Sequence, residues 1–348
     1  MRFLIVSIIS ALLLSGCGGQ ETLIDNGVGT VCAVHKTSSS SPYPLSCFGR
    51  YLGDFSSPLQ YETTDGKKTY YEGAETYLTN LSDSYISDIA ATNSRVCVIT
   101  HKDGKKSAPG QIQCYQTPSS KVSLPDMSSI AGDTDFEQLV MISDGVCAST
   151  DTDVNCFANS TSFSLSNLSG ILFATINKID AYNDTLCVLH GNDLDCFGVD
   201  FDNVSGLHSI TSKTSLPISE GVEDYVKMQL DWRYCWVTTD GNASCDFKAI
   251  FNEYAGKYKR IYAPKHEEYG CAEVSRGKIS CAGPYSDPLF PDSNELFVEQ
   301  YKITDLIFIK DYAFCGVAST GKVICRQSAH YEEFRDIPAH VGSAIIYP

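Results

Sequence analysis

Seven close pairs of cysteines run the length of the chain, and their spacing limits the possible folds more than any other feature. The pairs are Cys32 and Cys47, Cys97 and Cys114, Cys147 and Cys156, Cys187 and Cys196, Cys235 and Cys245, Cys271 and Cys281, and Cys315 and Cys325. "LCVLHGNDLDCFG" (186–198) shows the unit: two apolar runs flank a Gly-Asn turn signal, with a cysteine in each run. Others, such as "YCWVTTDGNASCDF" and "FCGVASTGKVICRQ", share this grammar. Extended runs joined by a Gly-containing turn predict a β-hairpin. The cysteines then occupy mirrored positions, where opposed residues of antiparallel strands come within disulfide reach. Zinc sites use two to four residues between ligand cysteines, and no Cys-x-x-Cys redox motif occurs. The pattern is therefore a set of stitched hairpins.

The first cysteines of the pairs recur at intervals of 36 to 65 residues, three of the six in the forties. A period of that size built from strands alone points to β-propeller blades. Most pairs follow another β-rich stretch that predicts a further strand of the same blade. These stretches are "YISDIAAT" (85–92), "FEQLVMIS" (136–143), "ILFATINKIDAY" (171–182), "YVKMQL" (225–230), "YKRIYAP" (258–264) and "ITDLIFIK" (303–310). The segments Cys32-Ala33-Val34, Cys47-Phe48-Gly49, Cys187-Val188-Leu189, Cys196-Phe197-Gly198 and Cys271-Ala272 carry a resemblance to a known repeat. The unit resembles that of the regulator of chromosome condensation family, in its bacterial exported, cysteine-paired form, over residues 28–348. The resemblance implies a seven-bladed all-β propeller. No apolar strand precedes Cys32, and the chain ends in the β-rich "HVGSAIIYP". The expectation is that Ser343–Tyr347 supplies the missing strand of the first blade and closes the ring, removing open edges.

The N-terminus reads as a separate unit. Arg2 precedes an apolar run from Phe3 to Leu14, which is short for a membrane span and suited to a signal peptide. Leu14-Ser15-Gly16-Cys17 resembles the lipobox of bacterial lipoproteins. The resemblance implies cleavage before Cys17 and acyl chains on that cysteine, which together anchor stably where a single chain does not. Gly18 after the cysteine, by likeness to enterobacterial sorting, implies the outer membrane, in either a periplasmic or a surface-exposed orientation. The expected organisation is a signal peptide at 1–16, an acylated cysteine and tether at 17–27, and the propeller at 28–348. Without Cys17 the remaining cysteines are even in number, as an exported disulfide framework requires.

The formal net charge is −16. That balance argues against nucleic acid as a partner and against attraction to anionic lipid surfaces. No Gly-x-Ser-x-Gly elbow, His-Glu-x-x-His or phosphate loop occurs. His35, His101 and His190 follow the first cysteine of their units at similar distances, but polar strand ends explain them better than metal ligation. Asp151 with Asp153 and Asp193 with Asp195 read as solvated turns rather than Ca²⁺ sites. No catalytic residue, metal or cofactor is expected.

Two features point to a binding surface. "DWRYCWV" gathers Trp232, Arg233, Tyr234 and Trp236, residue types that anchor protein interfaces. The long turns of the first two units and the Tyr-rich segment around Tyr70 and Tyr71 place large loops on one rim. Packing between blades is the other reading of the tryptophans. The leading expectation is a non-enzymatic, protein-binding propeller lipoprotein with an envelope or secreted protein as partner. A carbohydrate-binding or glycan-processing propeller, and a structural or assembly lipoprotein, remain open beside it.

Overall fold

The computed structural model describes residues 23–27, 30–34, 45–49, 85–92, 95–101, 109–116, 120–122, 135–142, 145–158, 161–201, 208–215, 221–227, 234–245, 258–263, 270–275, 278–282, 302–310, 313–319, 323–326 and 345–346. Among the described residues the strands form seven separate antiparallel sheets, each made of consecutive strands. The first sheet holds β1 (Leu23–Gly27), β2 (Thr30–Val34) and β3 (Leu45–Gly49). The second holds β4 (Tyr85–Ala91), β5 (Arg95–His101), β6 (Gly110–Gln116) and β7 (Ser120–Val122). The third holds β8 (Gln138–Ile142), β9 (Gly145–Ser149), β10 (Val154–Ala158) and β11 (Thr161–Ser164). A short helix, α1 (Leu165–Ser169), leads to the fourth: β12 (Ile176–Tyr182), β13 (Thr185–His190), β14 (Asp193–Phe201) and β15 (His208–Ser215). The fifth holds β16 (Val222–Lys227), β17 (Tyr234–Thr238) and β18 (Ala243–Cys245). The sixth holds β19 (Arg260–Tyr262), β20 (Gly270–Ser275) and β21 (Lys278–Ala282). The last holds β22 (Ile303–Lys310), β23 (Ala313–Ala318), β24 (Val323–Arg326) and β25 (Ile345–Ile346).

The cysteine register follows from the hairpins. Cys187 faces Cys196 across β13 and β14, and the turn between them passes through Gly191 at φ 59°. That left-handed conformation is one glycine adopts without steric cost. Disulfides join Cys97–Cys114, Cys147–Cys156, Cys187–Cys196 and Cys235–Cys245, with Cα atoms 4.0–4.1 Å apart. Such short separations are those of non-hydrogen-bonded pairs. The same register sets Cys32 opposite Cys47, Cys271 opposite Cys281 and Cys315 opposite Cys325, and Cys32, Cys271 and Cys315 are disulfide-bonded.

Apolar side chains seal consecutive sheets to one another. Ile86, Ile89 and Val98 of the second sheet pack on Cys32 and Val34 of the first. Phe136 and Phe157 meet Ala90, Cys97 and Ile99 at the next junction, the two rings edge to face at 6.1 Å. Phe197 and Ile179 of the fourth sheet pack on Cys147 and Val154 of the third. The core is thus a series of layers between sheets, each holding two neighbours together by apolar burial.

The first strands of the sheets also touch in succession. β1 meets β4, β4 meets β8, β8 meets β12, β12 meets β16, β16 meets β19, and β19 meets β22. β22 in turn contacts β1.

Two expectations about the chain ends are corrected. The C-terminal strand does not enter the first sheet: Ile345 and Ile346 pair with Cys325 and Ile324 of β24. The innermost place in the first sheet is already filled by β1, which pairs along its full length with β2. The last strand takes the outer edge of β24 instead. The stretch 23–27, expected as the end of a tether, is therefore part of the fold. Its low apolar content hid it, because this strand faces a polar cavity. Among the inner strands, β16 also begins upstream of the expected 225–230, at Val222.

Candidate functional site

Among the described residues each first strand is an edge strand of its own sheet, so one row of its backbone groups lies outside the ladder. The chain meets that need with side chains from the neighbouring sheet. The residues opposite the second residue after each first cysteine are Leu23, Asp88, Gln138, Lys178, Asp224, Arg260 and Asp305. Six of these seven equivalent positions are polar or charged. In β4, β12, β16 and β22 the ladder shifts register immediately before this position. A bulge at that point re-aims the side chain and tightens the local twist.

The resulting bonds follow one rule: the side chain reaches the backbone of the following residue position in the next inner strand. Leu139 N–H donates to Asp88 Oδ2 at 2.5 Å. Ile179 N–H donates to Gln138 Oε1 at 3.0 Å, and Ile261 N–H to Asp224 Oδ2 at 2.9 Å. Lys178 bonds in the opposite sense, its Nζ donating to the Tyr225 carbonyl at 2.6 Å. One pair further along the strands, Ala91 N–H donates to Asp25 Oδ2 at 2.6 Å. Lys178 Nζ also lies 2.6 Å from Asp224 Oδ1, so Asp224 links β12, β16 and β19.

These strands surround a cavity of about 600 Å³, lined from all seven sheets. Its charged lining comprises Asp25, Asp88, Asp180, Glu223, Asp224 and Asp305 against Lys178, Lys259 and Arg260. The acidic excess, together with burial, disfavours ionisation of these carboxyls. Burial pushes the Asp88 carboxyl up to about 7, with the charges of Asp25 and Asp305 adding to it and the Leu139 and Ile89 N–H groups opposing it. Burial also raises Asp305, against the pull of Arg260. For Lys178, burial works against the charge, but Asp224 and Asp180 outweigh it and hold the ammonium above its ordinary value. Burial keeps the Tyr225 phenol far above its ordinary value, and its hydroxyl donates to the Cys187 carbonyl at 2.7 Å.

Two of the sequence-expected binding residues lie in β17. Tyr234 is 2% exposed and Trp236 is half-buried. Both pack with Tyr225, Leu189 and Leu194 between the fourth and fifth sheets. Alternation along β17 does send the two rings to one face, but the neighbouring sheet covers that face. Trp232, Arg233, Tyr70, Tyr71 and Cys17 lie outside the described residues. His101, His190, Asp153 and Asp195 serve the scaffold, and His35 lies outside the described residues. His101 Nε2 lies 2.8 Å from Ser87 Oγ, and His190 Nε2 lies 3.2 Å from Asp195 Oδ2. Asp153 receives Ser166 N–H at 3.0 Å and the Ser164 hydroxyl at 2.5 Å, fixing the start of α1.

The row of polar joints is not legible in the sequence. Its signal is a charged residue inside an otherwise β-rich run, as in "YISDI", "INKID", "VEDYV" and "ITDLI".

No protein-family model and no curated protein matches the chain. Among solved structures it is similar to the CRINKLY WD40 ectodomain of the Arabidopsis thaliana receptor kinase ACR4. That likeness has a TM-score of 0.48 and 13% identity, over 88% of this chain and 94% of that one. It is also similar to YCF48 bound to D1 peptide, at TM-score 0.48 and 9% identity over 88% and 92% of the two chains. A third likeness is to yeast RCC1 (Prp20) as bound by Kap60, at TM-score 0.41 and 11% identity over 92% and 74%.

Proposed function

We propose that the chain is a non-enzymatic, seven-bladed β-propeller that binds a protein and is held on a bacterial outer membrane by acyl chains on Cys17. The seven sheets are its blades, and β22 against β1 closes the ring. The observation that carries the binding reading is how the cavity spends its polar groups. Asp25, Asp88, Gln138, Lys178 and Asp224 each bond to the backbone of the next inner strand. They serve as joints of the scaffold, and the sheet ends and their connections are the usual place for recognition on a rigid frame. The net charge of −16 favours a partner with a basic docking face, through steering of the encounter. Trp232 and Arg233 are the contact residues proposed, because their neighbours Tyr234 and Trp236 are committed to packing.

The test uses the full chain expressed in a bacterial host, with and without Cys17→Ser, and with Trp232→Ala/Arg233→Ala. Labelled palmitate should enter the parent protein and not the Cys17→Ser variant. Capture from envelope and culture-medium fractions should recover a protein that the Trp232→Ala/Arg233→Ala variant loses. Capture of glycans alone, or of the same proteins by both forms, would defeat the protein-docking reading.

A further inference from the structure

Two members of the polar row stay outside the joints. Asp25, Asp88, Gln138, Lys178 and Asp224 each bond to the backbone of a neighbouring first strand. Among the described residues, Arg260 and Asp305 do not. The Arg260 guanidinium lies beside the Tyr262 hydroxyl of its own strand, and Asp305 Oδ1 takes only the N–H of the next residue, Leu306, at 3.0 Å. Arg260 and Asp305 line the cavity from β19 and β22, which touch, and each feels the other's charge. Among the described residues no ion pair joins them, so both keep hydrogen-bonding capacity toward the cavity.

The charges around this pair are segregated. Lys259, next to Arg260, is exposed and lines the same cavity. Asp25 and Asp305 both act on Asp88, so three carboxyls gather on the successive strands β22, β1 and β4. Lys178 is already engaged by Asp224. Across the whole lining six carboxyls face three cations.

We propose that the cavity binds a short basic peptide, its terminal carboxylate held by Arg260 and Lys259 and its ammonium groups by Asp305, Asp25 and Asp88. A guanidinium offers paired donors that fit a carboxylate, and the charge-assisted bonds formed there are the strong ones. The neighbouring carboxyls supply acceptors for ammonium groups, and their excess over the cations favours a ligand of net positive charge. The cavity volume of about 600 Å³ lies within the range of small-ligand sites. This site is separate from protein docking at the sheet ends, and its test needs no protein partner.

The experiment is isothermal titration calorimetry of the full-length protein in a neutral detergent, at neutral pH and about 0.15 M salt, where long-range attraction is screened. The probes are tri-lysine, tri-lysine amide and tri-glutamate. Tri-lysine should bind one per chain, and tri-glutamate should not bind. The amide carries more positive charge but lacks the carboxylate, and should bind about tenfold more weakly than tri-lysine. Arg260→Met makes the cavity more acidic, so unspecific attraction would strengthen tri-lysine binding; the proposed site requires a loss of about tenfold instead, and little further loss for the amide. Asp305→Asn should weaken both lysine peptides, while Asp240→Asn, an exposed carboxylate outside the cavity, should change neither. If Arg260→Met fails to fold, Lys259→Met should weaken tri-lysine in the same sense, and the comparison of acid and amide in the wild type needs no variant. The proposal is overturned by the absence of saturable tri-lysine binding, by an amide that binds as tightly as the acid, or by tri-lysine binding that Arg260→Met leaves unchanged or strengthens. An Asp240→Asn loss equal to that of Asp305→Asn would overturn it as well.

Discussion

Removing the Asp224 carboxylate tests the polar joints between sheets at the point where, among the described residues, one side chain reaches three strands. Its Oδ1 takes the Lys178 ammonium at 2.6 Å, and its Oδ2 takes Ile261 N–H at 2.9 Å, so one side chain ties three strands from three sheets. A hydrogen bond to a charged group contributes about 1.5–3 kcal/mol, and breaking a buried ion pair costs about 3–5 kcal/mol. The Lys178 side chain is 34% exposed, however, and keeps its bond to the Tyr225 carbonyl, so water and that carbonyl recover part of the loss. Asp224→Ala should therefore lower unfolding stability by about 3 kcal/mol. Asp224→Asn retains an acceptor for Ile261 N–H and should cost about 1–1.5 kcal/mol. The assay is equilibrium urea unfolding with disulfides intact, in which the midpoint falls and the slope stays constant. Lys178→Met combined with Asp224→Ala should cost less than the two singles added, because they share one interaction. An alanine variant within about 1 kcal/mol of wild type, or an asparagine variant as costly as alanine, would refute the account of the joint.

Two further outcomes follow from the packing. Tyr225→Phe removes the buried bond to the Cys187 carbonyl and should cost about 1–2 kcal/mol in thermal unfolding. That cost should be equal at pH 6 and pH 9, because burial holds the phenol neutral far above that range. Gly145→Ala would drive a Cβ into the Phe157 carbonyl oxygen and the Ala158 methyl across the β9–β10 pair. Its expected cost is about 2–3 kcal/mol, and a melting temperature equal to wild type would count against the register drawn there.

The parts legible in the sequence are those whose cause is local. In "LCVLHGNDLDCFG" the turn, the two strands and the opposed cysteines lie within one short stretch, so residue types and spacing decide the hairpin. The strand ahead of each hairpin was readable where it is apolar, as with Ile303–Lys310, whose bounds match the expected run. β1 was not, because "LIDNG" faces a polar cavity on one side and lacks an apolar run. Tyr234 shows a related limit. Alternation assigns its face, but only the fourth sheet's arrival decides that the face is covered.

The row of polar joints between sheets belongs wholly to tertiary structure. Asp25 bonds to a backbone group 66 residues away, and Asp88 to one 51 residues away. Residue order shows that a charge sits in a strand, and nothing about which backbone group will face it. That depends on how far the apolar layers rotate one sheet against the next. The amino-acid sequence alone thus determined the stitched hairpins and their repetition, through turn chemistry and mirrored cysteines. Tertiary packing decided which strand fills the inner edge of the first sheet, where the last strand goes, and which distant backbone group each polar joint meets. Each of those outcomes depends on a neighbour supplied by a distant part of the chain.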